Sequence, residues 1–157
     1  MAENLRKEKQ KVVLASGTFD LLHFGHVKFL EEAKKAGGED AKLIVIVARD
    51  STVKKRKGKK PIMSEDQRRA LVESLKVVDE ALLGYEDFSI EKVIEKIKPD
   101  VIAVGYDQDK SGIEQAVRKV LAEKGLDIKV VKIGKYSKDE LDSSSQIKRK
   151  IIETYGR

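Results

Sequence analysis

The sequence predicts an α/β fold: one domain spanning residues 1–157, built on a doubly wound parallel five-stranded sheet with helices on both faces. Three observations carry this. Strand-like and helix-like patterns alternate along the whole length, which is the order that builds a parallel sheet. The run from Leu43 to Ala48 is continuously aliphatic and rich in β-branched residues, as in a strand covered on both faces. The chain has 157 residues, 40% of them hydrophobic, enough for one buried core.

In order, Lys11 to Ser16 reads as a short apolar strand. Gly25 to Ala36 is amphipathic, with Val27, Leu30 and Ala33 at helical spacing, and Gly37-Gly38 stops it. Leu43 to Ala48 is the second strand. The stretch Lys54-Lys55-Arg56-Lys57-Gly58-Lys59-Lys60 reads as a basic loop closed by Pro61, mobile until countercharge arrives. Ser64, with Gln67 three residues on, makes a capping box for a helix to about Leu75. Val77 to Leu83 is the third strand, ended at Gly84. Ser89 caps a helix with Ile90, Val93, Ile94 and Ile97 on its buried face, and Pro99 ends it. Val101 to Val104 is a buried strand stopped by Gly105. Ser111 to Lys124 is helical with Gly125 as its cap, and Ile128 to Ile133 is the last strand. A final helix starts at Ser143, with Ile147, Ile151 and Ile152 facing inward.

Composition narrows the classes. The first ten residues form a polar extension without the apolar centre of a signal peptide. No apolar run approaches the roughly 20 residues that span a bilayer. There is no cysteine, so no disulfide framework, and a cytoplasmic protein is expected. Charged residues make up 38%, with two methionines, the balance of a heat-adapted chain. The net charge of +6 is interspersed with acid, and aromatics are few, so no stacking platform for single-stranded nucleic acid is expected.

In such folds ligands bind beyond the carboxyl ends of the strands. The loops after Ser16, Ala48, Val104 and Ile133 all reach that edge. They carry Gly17, Thr18, Phe19, His23 and His26; the lysine cluster; Gly105, Tyr106 and Asp107; and Ser143, Ser144 and Ser145. His23-Phe24-Gly25-His26 stands between a glycine turn and a helix start. Helix N-termini offer N–H groups and partial positive charge to phosphate. Two imidazoles there can donate to charge that develops in phosphoryl or nucleotidyl transfer. Zinc is the competing reading, but with two histidines and no cysteine only carboxylates could complete its ligands. No resident metal site is expected. Asp20 reads as a turn residue.

Gly17-Thr18-Phe19-Asp20-Leu21-Leu22-His23-Phe24-Gly25-His26 closely resembles the signature of the HxGH nucleotidyltransferase superfamily, which includes cytidylyltransferases for glycerol 3-phosphate and phosphocholine. Ser64-Glu65-Asp66-Gln67-Arg68 resembles the segment that places an arginine on the nucleotide. Ser143-Ser144-Ser145-Gln146-Ile147-Lys148 resembles the serine- and threonine-rich helix start. The stretches Ala48 to Lys57, Val78 to Gly84 and Pro99 to Gln108 resemble the archaeal FAD synthases of that superfamily. The fold this implies is Rossmann-like. The reaction implied is FMN plus ATP giving FAD and pyrophosphate, with Mg2+ or another divalent cation held mainly through nucleotide phosphates. His23, His26, Lys54, Lys55 and Arg68 are the catalytic residues implied. ATP and FMN are the partners, without nucleic acid or membrane, and a homodimer is left open. One departure is that Lys135 to Asp142 carries lysines where many cytidylyltransferases have an arginine. The alternatives are glycerol-3-phosphate cytidylyltransferase and a nucleotide- or RNA-binding protein without catalysis.

Overall fold

The computed structural model describes residues 10–87, 89–105, 112–134 and 144–156. Five strands form one parallel sheet: β1 (Val12–Gly17), β2 (Lys42–Val47), β3 (Glu80–Leu83), β4 (Val101–Gly105) and β5 (Lys129–Ile133). Their order is β3-β2-β1-β4-β5, every pair parallel. The chain steps outward from β1 to β2 and β3, then returns to β4 on the other side. The strand order therefore switches between β1 and β4, the place where such sheets open a ligand crevice. This is the α/β, Rossmann-like architecture expected from the alternation of patterns.

The helices are α1 (Phe24–Lys35), α2 (Asp50–Lys57), α3 (Glu65–Glu73), α4 (Ile90–Ile97), α5 (Ile113–Lys124) and α6 (Ser144–Tyr155). Strand side chains alternate faces, so each strand feeds two cores. Val13, Ala15, Val45 and Val47 pack with Leu30 of α1 and Val72 of α3. Leu14, Ile46, Ile102 and Val104 pack with Val93 and Ile94 of α4 and Val117 and Leu121 of α5.

Carboxylates seal the amino edge of the sheet. Asp100 Oδ2 accepts the Val12 N–H at 2.8 Å, and Asp79 Oδ2 accepts that of Leu43 at 2.7 Å. These are strand amides that would otherwise lack a ladder partner. With that end closed, ligand chemistry is left to the carboxyl edge.

Three expectations are corrected. The basic stretch is not all loop: residues 50–57 form α2, which ends at Gly58 in the left-handed conformation, φ 78°. Thr52 and Val53 bury one side of it. Lys and Arg are good helix formers, and their charge suits a helix C-terminus. The third strand begins at Glu80 and not Val77, because Val78 is buried in a turn closed by its N–H to the Leu75 carbonyl. In α6, Ile151 and Ile152 do not face inward; they are 51% and 68% exposed. Periodicity reveals an apolar stripe but not what lies opposite it.

Candidate active site

The site starts at the end of β1, where the backbone takes unusual turns. Phe19 and Leu21 both adopt positive φ, 54° and 52°. Non-glycine residues rarely do so, and the conformation costs energy that surrounding contacts must offset. Its effect is to turn the Phe19 ring and the Asp20 carboxylate inward; both residues are 4% exposed. Gly17 belongs to the same arrangement. A Cβ there would stand 2.9 Å from the Phe19 ring. The residue makes room for that ring, and Phe19 is a core wedge under the motif rather than a surface for the ligand.

The two histidines cap α1 for each other. His23 is the N-cap residue, and its Nδ1 accepts the Gly25 N–H at 3.1 Å. His26 Nδ1 accepts the His23 N–H at 3.3 Å. This is a capping box made of imidazoles. It has a chemical consequence. An Nδ1 that accepts a main-chain N–H carries no proton, so each neutral ring holds its proton on Nε2. The rings stack at 3.8 Å, and the His26 ring lies 5.4 Å from that of Phe19. Burial, together with the nearby His23 ring and against the pull of Asp20, pushes the His26 pKa from 6.5 down to about 3. At neutral pH His26 is therefore an uncharged hydrogen-bond donor, not an imidazolium.

Asp20 joins distant segments. Its Oδ2 and Oδ1 accept the N–H groups of Ile62 and Met63 at 2.9 and 3.0 Å. Lys148 Nζ lies 3.3 Å from Oδ2, and the Ser144 hydroxyl donates to the Asp20 carbonyl. Burial opposes ionisation, but the two amides and the Lys148 ammonium outweigh it and hold the carboxyl below its ordinary range. Ser144 and Ser145 open α6, and that helix start is thereby brought to the histidine loop.

A charged lattice fixes the next two helix starts. Glu65 accepts the Asp50 N–H at 2.9 Å and pairs with Arg49 at 3.0 Å. Arg49 in turn donates to the Gly84 carbonyl at the end of β3. Arg68 is fully buried. Its guanidinium donates to the carbonyls of Thr18 and Ala48, both at 2.7 Å, to that of Met63 at 3.0 Å, and to Asp50 Oδ1 at 2.7 Å. This corrects the expectation that Arg68 grips phosphate. Four of its five N–H groups are spent joining the ends of β1 and β2 to the start of α3, because strand-end carbonyls leave the ladder there and need donors.

Lys54 and Lys55 are exposed on α2, which rises from the carboxyl end of β2. Thr18 is half-buried beside the histidine loop, and Gly105 is buried at the end of β4. Tyr106, Asp107 and Ser143 lie outside the described residues, as do Lys135 to Asp142. Sequence reasoning missed Arg49, Asp50, Glu65 and Lys148 and read Asp20 as a turn. For Arg49 and Asp50 the available signal was charge close after the end of β2. Among the described residues, no three His, Asp or Glu side chains gather to hold a metal.

On the opposite face of the sheet a small apolar cavity of about 30 Å³ lies between α4 and α5. Ile90, Ile94, Ile102, Ile113 and Val117 wall it, and Ser16 joins it at the end of β1.

A cytidylyltransferase-like family model matches residues 14–150. A protein named FAD synthase from Methanobrevibacter smithii is 52% identical over 143 residues, 90% of each chain. Another of that name from Ferroglobus placidus is 53% identical over 142 residues, 90% of this chain and 88% of that one. A crystal structure described as the lipopolysaccharide core biosynthesis protein from Thermoplasma volcanium GSS1 superposes with a TM-score of 0.68 at 43% identity, covering 81% of this chain and 98% of that one.

Proposed function

The chain belongs to the cytidylyltransferase-like family of nucleotidyltransferases, and on that premise we propose that it is an FAD synthase, transferring AMP from ATP to FMN with release of pyrophosphate. The observation that carries the reading is sequence identity of about half, over about nine-tenths of the chain, to proteins named FAD synthase.

The chemistry is an in-line displacement. A phosphate oxygen of FMN attacks the α-phosphorus of ATP, a P–O–P linkage forms, and the bond to the β-phosphate breaks. Such transfers depend on positioning and charge stabilisation more than on covalent catalysis. His23 and His26 suit this work as donors already oriented by their own cap. Their Nε2–H groups hydrogen-bond to phosphate oxygens whose charge grows in the transition state. Thr18 and the start of α6 at Ser144 and Ser145 would offer N–H groups to the outer phosphates. Lys54 or Lys55 would neutralise the attacking phosphate and the α-phosphate between them. Tyr106 and Asp107, with Gly105, would meet the base and ribose.

A divalent cation would ride on the triphosphate. The carboxylates of Asp20 and Asp50 are already engaged by amides or cations, and Mg2+ at nucleotide sites takes much of its shell from phosphate and water. Its chemistry when bound is neutralisation of the leaving pyrophosphate.

The deciding assay offers the purified protein ATP or CTP, each with FMN or glycerol 3-phosphate, and measures pyrophosphate and FAD. FAD from ATP and FMN is the expected product. Cytidylyl transfer to glycerol 3-phosphate without FAD would overturn the flavin assignment. Nucleotide binding without pyrophosphate release in any combination would overturn the enzymatic one.

A further inference from the structure

We propose that Asp20 is a positioning residue whose carboxylate and carbonyl together lock three anion-binding elements of this edge into one arrangement: the histidine loop, the end of the basic segment, and the start of α6. The proposal deepens the triphosphate reading of the site and rests on it.

A turn aspartate bonds to its own loop a residue or two away. Among the described hydrogen bonds and ion pairs of the Asp20 side chain, the nearest partner in sequence is 42 residues distant. Its carboxylate takes the amides of Ile62 and Met63, which directly follow the basic stretch Lys54 to Pro61 and precede the Ser64 cap of α3. The same carboxylate pairs with Lys148 at 3.3 Å, while its carbonyl takes the Ser144 hydroxyl. Ser144 and Lys148 are four apart on α6 and so share one helix face. That face grips a single residue of the motif loop. The first turn of α6 is therefore set against the histidine loop by two contacts, and a third and fourth fix where the basic segment returns.

The residue type follows from the partners. Two N–H groups and an ammonium are all donors. A carboxylate only accepts, whereas an asparagine would turn an NH2 towards one of those donors. Burial at 4% exposure adds weight, because a buried carboxylate without these partners is costly.

The test is ATP binding by titration calorimetry, without flavin, together with melting temperature. The variants are Asp20→Asn, Lys148→Met, Lys148→Arg, the Asp20→Asn/Lys148→Met pair, and Lys150→Met, an exposed control on α6. Asp20→Asn is expected to weaken ATP binding tenfold or more, and Lys148→Met several-fold. Lys148→Arg should restore binding, and Lys150→Met should leave it unchanged. In the Asp20→Asn background, Lys148→Met should add less than twofold, because the lysine acts through the carboxylate. Equal weakening by Lys148→Met in both backgrounds would mean that the lysine touches phosphate directly, and the proposal fails. It fails equally when both single variants melt earlier yet bind ATP as the parent does. Should Asp20→Asn not fold, hydrogen exchange at the Ile62 and Met63 amides of Lys148→Met decides: faster exchange supports the coupling, unchanged exchange overturns it. Since no flavin is present, absence of FAD formation would end the flavin reading while leaving this comparison intact.

Discussion

At the residue scale, the two histidines and Arg68 part company. His26 is oriented by a main-chain N–H and kept neutral by burial, so its value lies in a fixed Nε2–H. We expect His26→Ala to lower turnover by about 10²–10³ while ATP binding changes only a few-fold, the usual cost of one preorganised donor. Parent-like turnover would remove His26 from the chemistry. The same burial makes stability depend on pH. Above pH 6.5 the ring is neutral folded or unfolded. Between 6.5 and about 3 the unfolded chain takes up a proton that the folded chain refuses, so stability falls as pH falls through that window. The carboxyl of Asp20 is held below its ordinary value of 3.8, so the upper part of the window, near pH 6.5, belongs to the histidine. Melting temperature should drop across it, and His26→Gln should flatten the drop; an equal slope in both proteins would contradict the assignment. Arg68 predicts a different phenotype. Arg68→Met strands the carbonyls of Thr18 and Ala48 and unpairs Asp50, at a cost on the order of 3 kcal/mol. Denaturant unfolding measures it. Full stability with a raised KM for ATP would return Arg68 to the phosphates.

At the element scale, α2 changes how the basic cluster should be read. Lys54 and Lys55 ride on a helix whose start is held by Glu65 and whose inner face is buried at Thr52 and Val53. Lys59 and Lys60 lie beyond the left-handed Gly58. A helix gives its side chains fixed directions that a solvated loop does not. Lys54→Ala or Lys55→Ala is therefore expected to slow pyrophosphate release at least tenfold, and Lys59→Ala or Lys60→Ala by less than threefold, as for isolated exposed charges. Uniformly small effects would reduce α2 to a solvated face. Elsewhere, local chemistry was legible. Ser64 and Ser89 accept the N–H groups of Gln67 and Lys92 as a capping pattern requires, and Gly125 closes α5 in the left-handed region. The charge run misled because like charges suggest repulsion, while helix propensity and two buried residues act along the same stretch.

At the scale of the whole molecule, a ligand that binds only the folded chain stabilises it. ATP at about 100 times its dissociation constant should add about 2.7 kcal/mol, which raises the melting temperature by roughly 5–10 °C for a chain of this size. CTP at the same concentration should shift it less, and an equal shift would argue against adenine preference. The parallel sheet, its faces and its carboxyl edge were decided by the sequence alone, because continuous aliphatic runs between capped, period-3.6 segments admit few other packings. The histidine motif was equally legible, being local: strand, glycine turn and helix start lie within ten residues. What only the tertiary structure decided are the contacts between segments remote in sequence. Asp20 looked like a turn former until Ile62, Met63, Ser144 and Lys148 met it. Arg68 looked like a phosphate ligand until the strand ends of β1 and β2 claimed its donors. A polar side chain satisfies whichever complementary group folding brings within hydrogen-bond distance, and for these contacts that group is 20 to 128 residues away along the chain.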